Sequence, residues 1–433
     1  MRNRFTNLGW AVTVVVAVLP IAIWLIFGQS DWSTNKLIVE NMGKMAGLAG
    51  LSLFVWDVIL SARLKIFGRL FMGLDNMYRA HHIIGCIALI LLLVHPMLLT
   101  SRYLLSSPIS AYEFLKPSFE APYRFLGSVT LASFAAIMLA TLYLHLRYER
   151  LVLLMRLLGV LVFLGGLHAI LVGGSDISNI PLLQAYILGM LGLAAIVYVY
   201  RSLFHGSFAK KYQYKVVKNT QRGDISEIWL MPEGEGIKHL PGQFAFIKIH
   251  TNGVPLESHS FTISSGGSEA GLRFSIKRLG DFTNALTKVK VGDVVEVDGP
   301  YGSFSNQVVT SQRQVWVAGG IGITPFLSMA NDLGDSQQRV DLYYSLQNES
   351  QAVYLPELQA LAKRHANLRL LPFYSDKDGF LTADYIDAQS KNLDANTAYM
   401  VCGPPPMMKA LRAQLRSRGV ANKNIHTEEF SLL

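Results

Sequence analysis

The stretch "RAHHIIGCIALILLLVHP" (Arg79 to Pro96) is almost wholly apolar yet carries His81, His82 and His95. A neutral imidazole in lipid needs a partner, because the bilayer core has no water to satisfy its ring nitrogens. His81 and His95 are 14 residues apart, about 21 Å along a helix and within about 40° of one face. A second apolar segment, "LVFLGGLHAILV", places His168 near the depth of His95. A single such histidine is most simply a hydrogen bond between helices. Two imidazoles at one depth on neighbouring helices suit bis-histidine ligation of a haem iron, and ionisable groups inside membranes are functional by default. The inner level is less regular. The residue 13 before His168 is Met155. Methionine can be an axial ligand, but 13 residues leave Met155 about 140° round an ideal helix from His168. A distortion at Gly165-Gly166 would be needed to bring both onto one face; the plain alternative is a core residue like its leucine neighbours. His82 and His145 are spare imidazoles near that depth. One haem b is expected and a second is open. Asp57, near the inner end of its segment, reaches the interface and is assigned no role.

The elements that must position these residues follow from composition. Of 433 residues 51% are hydrophobic and only 16% charged, against roughly 25% in soluble domains. The deficit lies in the first part of the chain, where six apolar segments have the length a bilayer requires: Leu8–Phe27, Met45–Ser61, Ala80–Thr100, Phe125–Leu144, Leu151–Val172 and Ile180–Tyr200. The first segment is long for a signal peptide and lacks a small-residue cleavage motif, so it is read as a retained helix. Arg2, Arg4, Arg63, Lys65, Arg69, Arg79, Arg147, Arg150, Arg201, Lys210 and Lys211 fall on one side of these segments, which predicts a multi-pass inner-membrane protein with both termini cytoplasmic. The net charge of +9 does not indicate nucleic acid, since the cations flank apolar runs rather than form a stripe with interleaved aromatics. Cys86 and Cys402 lie too far apart for a disulfide framework or zinc site.

Beyond "YRSLFHGSFAKKYQYKVV" the texture changes. Short alternating runs such as "ISEIWL", "FAFIKIH" and "LRFSIKR", separated by Gly, Pro and Asn, predict an antiparallel β-barrel or sandwich. From about Arg313, strands alternate with helices, as a parallel α/β sheet requires. "AGGIGITPF" (318–326) is a glycine-rich turn from strand to helix, where backbone N–H groups can approach a pyrophosphate. "VCGPPPMM" (401–408) makes a second rigid turn at a strand's carboxyl end. Three domains are expected: residues 1–205, a six-helix transmembrane haem-binding bundle; 206–308, the β domain; and 309–433, the α/β domain with the glycine-rich turns; the resemblance described next implies FAD for the second and NAD(P) for the third.

Here the chain resembles a known family. "PGQF" (241–244), "HSFTIS" (259–264), "IKRLGDFTNAL" (276–286), "GPYGSF" (299–304), "GGIGITP" (319–325) and "CGPPPMM" (402–408) closely resemble the ferredoxin-reductase-type flavin and nicotinamide module. With the histidine-bearing segments, the whole chain looks like a bacterial ferric reductase and NADPH oxidase family member. The resemblance implies that His259, Ser260, Phe261 and Thr262 face FAD. It implies that Lys277, Gly280 and Thr283 hold the diphosphate, and that Gly319, Gly320, Gly322, Thr324 and Pro325 cradle the nicotinamide dinucleotide. Cys402 and Gly403 would lie near the nicotinamide ring, and Phe430 would stack on the flavin. The metal ligands would be His81, His95 and His168, with Met155 where the family usually has a fourth histidine. Many NADP-preferring relatives have an arginine after the second strand of the nucleotide domain; here "YSLQNES" offers Gln347 and Asn348, so neither NADPH nor NADH is favoured.

The implied activity is transmembrane electron transfer from NAD(P)H through FAD, which stores two electrons and releases them singly, and haem to an outer acceptor such as a ferric chelate or oxygen. Rival readings are a haem-free membrane anchor carrying a flavin reductase, and an electron-donor subunit for a periplasmic partner. The outer loop "SRYLLSSPISAYEFLKPSFEAPYR" holds no metal-ligand cluster that would name the acceptor.

Overall fold

The computed structural model describes residues 2–62, 65–71, 74–116, 121–144, 148–172, 176–200, 212–309, 311–334, 336–391 and 393–428. They fall into two units, Met1–Phe208 and Ala209–Leu433. The first is helical: α1 (Arg2–Phe27), α2 (Asn35–Leu60), α3 (Lys65–Leu70), α4 (Leu74–Leu104), α5 (Pro108–Leu115), α6 (Pro122–Tyr143), α7 (Tyr148–Leu171), α8 (Asp176–Asn179) and α9 (Pro181–Val199).

Among the described residues, α1, α2, α4, α6, α7 and α9 contain the six spans long and apolar enough to cross a bilayer. The apolar window of α2 is 78% buried, against 11–22% in the other five, so α2 is the central helix and the others expose lipid-compatible sides. Glycines let α4 lie close on α2. A β carbon at Gly43, Gly47 or Gly50 would meet Leu99, His95 or Leu92 of α4 at 3.0, 2.6 and 2.9 Å, the small-residue logic of membrane helix pairs. Helix α6 packs along α7, while α4 and α7 make no extensive contact and are bridged by α2 and α6.

Several helices outrun their apolar segments, α2 and α4 by the most. Helix α2 begins at Asn35 and α4 spans Leu74–Leu104, because hydropathy marks only the lipid-depth portion whereas backbone pairing continues into the interface. Ion pairs occupy these polar turns: Lys44 reaches Glu40 at 3.4 Å and Asp176 at 3.0 Å, and Arg102 also pairs with Glu40.

In the second unit, β1 (Tyr212–Arg222), β2 (Ile225–Pro232), β3 (Phe244–His250), β4 (Ser258–Thr262), β5 (Leu272–Lys277) and β6 (Val294–Tyr301) form an antiparallel sheet in the order β4-β3-β6-β1-β2-β5. Its edges meet through the Ile263–Phe274 bridge and the Ser264 N–H donating to the Arg273 carbonyl at 2.7 Å, which curls the sheet into a barrel around Ile228, Ala245, Ile247, Phe274 and Val297. A short helix, α10 (Asp281–Ala285), follows β5.

The remaining elements are β7 (Arg313–Gly319), α11 (Thr324–Asn331), β8 (Arg339–Leu346), α12 (Leu355–Arg364), β9 (Leu368–Tyr374), α13 (Ser375–Asp378), α14 (Ala383–Gln389), β10 (Ala398–Cys402), α15 (Pro405–Ser417) and β11 (Ile425–Glu428). These five strands are parallel, in the order β11-β10-β7-β8-β9. The chain winds outward from β7 to β9 and then returns to the other side, so the switch point lies between β7 and β10. Ligands of open α/β sheets bind in that crevice, beyond the strands' carboxyl ends.

Candidate functional site

Both chemistry-bearing turns of the nucleotide sheet stand at this switch point. A β carbon at Gly322 would lie 2.4 Å from the Cys402 carbonyl oxygen and 2.8 Å from the Gly403 α carbon. One at Gly319 would meet Pro404 at 2.7 Å and Met407 at 2.8 Å. The two turns therefore touch backbone to backbone, and only glycine permits it. Gly320 takes φ +54° with open space beside it, a conformation that favours glycine. Thr324 and Pro325 open α11, with Thr324 Oγ1 donating to the Ile321 carbonyl at 3.1 Å.

The Cys402 side chain is fully buried beside Trp316, Ala318 and Met400, so its backbone and Gly403 face the turn. Burial, and secondarily the Glu428 charge, push the thiol well above its ordinary value of 9.0. It is a neutral packing group here, not a thiolate nucleophile. Glu428 is a residue the motifs do not mark. Parallel pairing of β10 and β11 sets it opposite Cys402, and its Oε1 lies 3.4 Å from the β position of Gly302. Gly302 also faces the ring of Phe244 at 3.1 Å, and Phe244 pairs with both Thr262 and Tyr301. The end of "HSFT", the turn of "GPYGSF" and the end of β10 thus converge. Thr262 is buried and its Oγ1 finds no hydrogen-bond partner among the described residues. Leaving such a hydroxyl unpaired is costly, so a ligand's polar edge fits this place.

The strand expected to face the flavin and the expected diphosphate residues are joined by Phe282, to which the motif reading gave no role. Its ring lies 4.0 Å from that of His259 and 6.2 Å from that of Phe261. His259 Nε2 also lies 2.9 Å from Glu257, while Ser260 pairs with Phe246 across β3 and β4. Lys277 pairs with Asp224 at 3.3 Å. Thr283 Oγ1 accepts from the Leu279 and Gly280 N–H groups at 2.9 and 3.0 Å, and the β position of Gly280 is open. Phe430 and His145 lie outside the described residues.

Beyond β8, Ser350 donates to Asn348 at 2.7 Å and Gln351 to Gln347 at 3.3 Å. Neither a cation nor a carboxylate occupies positions 347 and 348, so the ratio of kcat/KM for NADPH and NADH should stay below about a hundredfold. Steady-state kinetics with both donors checks this. A larger ratio, above about 2.7 kcal/mol of discrimination, would mean that another residue reads the 2′-phosphate.

Alkaline pH should weaken this unit. Burial raises the phenols of Tyr344 and Tyr354, the latter to about 12, and raises the Cys402 thiol. These groups stay protonated when folded at pH values where the unfolded chain loses its protons, so stability falls as pH rises. Circular-dichroism melts at fixed ionic strength should show Tm declining from about pH 9 to 11; a flat profile would contradict this.

In the membrane unit, His95 and His168 share one arrangement. His95 Nδ1 lies 2.8 Å from the Gly43 carbonyl of α2, and His168 Nδ1 lies 2.7 Å from the Tyr123 carbonyl of α6. A carbonyl only accepts, so Nδ1 carries the proton in each ring and the Nε2 lone pair is presented. Each ring also rests on a glycine: a β carbon at Gly47 or Gly127 would come within 2.6 Å of the His95 or His168 imidazole. The two rings sit on helices that make no extensive contact with each other. Thr130, one turn from Gly127, has a buried hydroxyl with no hydrogen-bond partner among the described residues. Held tautomer, presented Nε2 and glycine clearance are what a metal-ligating imidazole pair requires, so the residues fit haem.

Deeper in α4, His81 Nδ1 lies 2.6 Å from Asp57 Oδ1, while His82 is exposed with its ring tilted away at 5.8 Å. Asp57 is buried against α4 rather than reaching the interface as expected. Helix α7 runs unbroken through Gly165-Gly166, so the distortion that Met155 ligation would need is absent and Met155 keeps a different face from His168. Those glycines serve packing instead: Gly166 receives Leu191 of α9, as Gly159 receives Tyr198.

The chain matches three family models in order: a ferric reductase like transmembrane component over residues 46–166, an FAD-binding domain over 214–305 and an oxidoreductase NAD-binding domain over 316–413. The chain is a ferric reductase like transmembrane component fused to FAD- and NAD-binding domains. Its relatives include the flavohemoprotein of Xylella fastidiosa, 26% identical over 220 residues, which are 48% of this fusion and 55% of the relative. The flavohemoprotein of Bordetella pertussis is 27% identical over 264 residues, 56% and 66% of the two chains. The fusion thus spans little more than half the length of the first of these. Among solved structures it is similar to a flavohemoglobin from Malassezia yamatoensis with bound FAD and heme, at 21% identity and a TM-score of 0.49 over 76% of this chain and 92% of that one. The cytochrome b5 reductase domain of Ulva prolifera nitrate reductase matches at 23% and 0.44 over 51% and 97%.

Proposed function

We propose that this membrane oxidoreductase carries electrons from cytoplasmic NAD(P)H through FAD and b-type haem to an acceptor on the outer side, a ferric chelate or oxygen. The observation that carries the reading is the His95–His168 pair: two intramembrane imidazoles, each with Nδ1 on a backbone carbonyl and a glycine beneath the ring. In this account His95 and His168 bind one haem iron through Nε2. His81 lies at a second, inner level that is left without an assigned partner, since Met155 keeps a different face of α7 from His168. Bound FAD and haem together convert a two-electron hydride donor into single-electron transfer.

The chain's own residues do the positioning. Gly319, Gly320 and Gly322 hold the dinucleotide turn against Cys402 and Gly403, so the nicotinamide is delivered where the "HSFT" strand ends. His259, Ser260, Phe261 and Thr262 line the flavin, and Lys277, Gly280 and Thr283 take its diphosphate. Phe430 would stack on the flavin, as the resemblance implies. The neutral Cys402 thiol packs without competing as a nucleophile. The cation distribution supports an inner-membrane protein with the soluble domains, 206–308 and 309–433, in the cytoplasm and residues 1–205 in the bilayer.

Reconstituted vesicles test the vectorial part. With the soluble unit outside and ferric citrate enclosed, external NAD(P)H should generate ferrous iron inside. Flavin reduction with no change inside, for ferric citrate and for oxygen alike, would overturn transmembrane transfer.

A further inference from the structure

Strand β4 and the dinucleotide turn belong to different sheets, and one short segment ties them together. "SSGGS" (264–268) continues the chain just after Thr262. Helix α11 opens with Thr324 and Pro325 of the dinucleotide turn, and Ser328, one turn further on, is fully buried. Its hydroxyl donates to the Ser265 carbonyl at 2.5 Å and accepts from the Gly242 N–H of "PGQF" at 3.2 Å. Asp332, directly after α11, accepts from the Gly267 N–H at 2.6 Å, the Ser268 N–H at 3.2 Å and the Ser268 hydroxyl at 2.7 Å. A β carbon at Gly266 would lie 2.4 Å from Asp332 Oδ1, so this close approach requires glycine.

A second link grips the same segment. The Arg273 guanidinium, 4% exposed, donates to the Ser264 carbonyl at 2.8 Å and to Glu357 of α12 at 2.7 Å. Apolar contact between the two sheets is non-directional, whereas hydrogen bonds fix distance and angle. Here they concentrate on the continuation of β4 and on the helix that begins with the dinucleotide turn. Ser328 and Asp332 lie outside every motif that marks the site. We propose that both are positioning residues: they latch α11 to the segment beyond the "HSFT" strand and so set how closely the nicotinamide approaches the flavin. The step they serve moves one hydride, with its two electrons, from NAD(P)H to FAD and leaves NAD(P)+. They act through the two turns, not on the reacting atoms. This rests on the reading of 259–262 as flavin residues and of 319–325 as the dinucleotide turn.

Anaerobic single-turnover flavin bleaching of the purified full-length protein tests it, with NAD(P)H and with the donor deuterated at the transferred hydrogen. Asp332→Ala and Ser328→Ala should each slow bleaching at saturating donor about tenfold, part of the roughly hundredfold that a misplacement of about 1 Å costs. FAD content and the half-saturating donor concentration should stay at wild-type values. The isotope effect should be at least as large as in wild type, because hydride transfer itself is slowed. Asp332→Asn keeps an acceptor oxygen for the Gly267 N–H and should lie closer to wild type than to Asp332→Ala. Asp332 is only partly buried, so its two variants decide the matter if Ser328→Ala does not fold. Wild-type bleaching in either folded alanine variant overturns the proposal. So does slowing explained by lost FAD or weaker donor binding, a smaller isotope effect, or an asparagine variant as slow as the alanine one. Each of these leaves the functional reading standing; a wild-type flavin that NAD(P)H does not bleach overturns both.

Discussion

His95→Ala and His168→Ala should each abolish the outer haem spectrum while NAD(P)H still bleaches the flavin at the wild-type rate. The expected loss is complete because, on the proposed reading, each imidazole would be one of the two residues holding the iron, and its Nδ1 is already committed to a carbonyl of a different helix. Flavin reduction persists because the nucleotide and flavin residues belong to a separate compact unit. His82→Ala should spare that spectrum, since His82 is exposed. Visible spectra and stopped-flow traces on the same preparations read both halves. An intact outer spectrum in either axial variant would return these histidines to helix packing.

Gly322→Ala should slow hydride transfer about a hundredfold, the scale of loss expected when a reacting group is misplaced by about 1 Å. Its new methyl would sit 2.4 Å from the Cys402 carbonyl oxygen and 2.6 Å from the carbonyl carbon. Both are backbone atoms at a strand end and cannot rotate away, so the two turns of the switch point must separate. Gly234→Ala, where the β position meets nothing within 4 Å, is the matched control. Single-turnover flavin bleaching measures the effect, and equal rates in both variants would show that the contact does not set the dinucleotide's position.

Much of this was legible in the sequence, for identifiable reasons. A membrane makes ionisable residues conspicuous, so His81, His95 and His168 stood out against their apolar runs, and the change from long runs to alternating short ones marked the barrel. The glycine-rich turns were readable because close backbone approach admits few substitutes. Pairings made by helix rotation or remote strand order were not. Helix α2 is apolar around most of its circumference, so hydropathy cannot say which neighbour Asp57 faces; burial against α4 decides it. Glu428 meets Cys402 only because β11 joins the sheet in parallel beside β10, a pairing with no local signature. Gly47 and Gly127 read as ordinary membrane glycines until the rings above them are seen. The distortion that Met155 ligation would need at Gly165-Gly166 is absent for a related reason, since glycine in a membrane helix admits a neighbour's side chain without bending the backbone.

The central claim is that one chain joins nicotinamide oxidation to an intramembrane haem. Anaerobic addition of NAD(P)H to the purified protein, followed by rapid-scan visible spectroscopy, tests it most directly. The account predicts flavin bleaching followed by the sharpened bands of a reduced b-type haem, with only the flavin phase left in His95→Ala if the inner site holds no haem. A wild-type protein that bleaches its flavin but carries no haem absorption, before or after haem is supplied during expression, would contradict it.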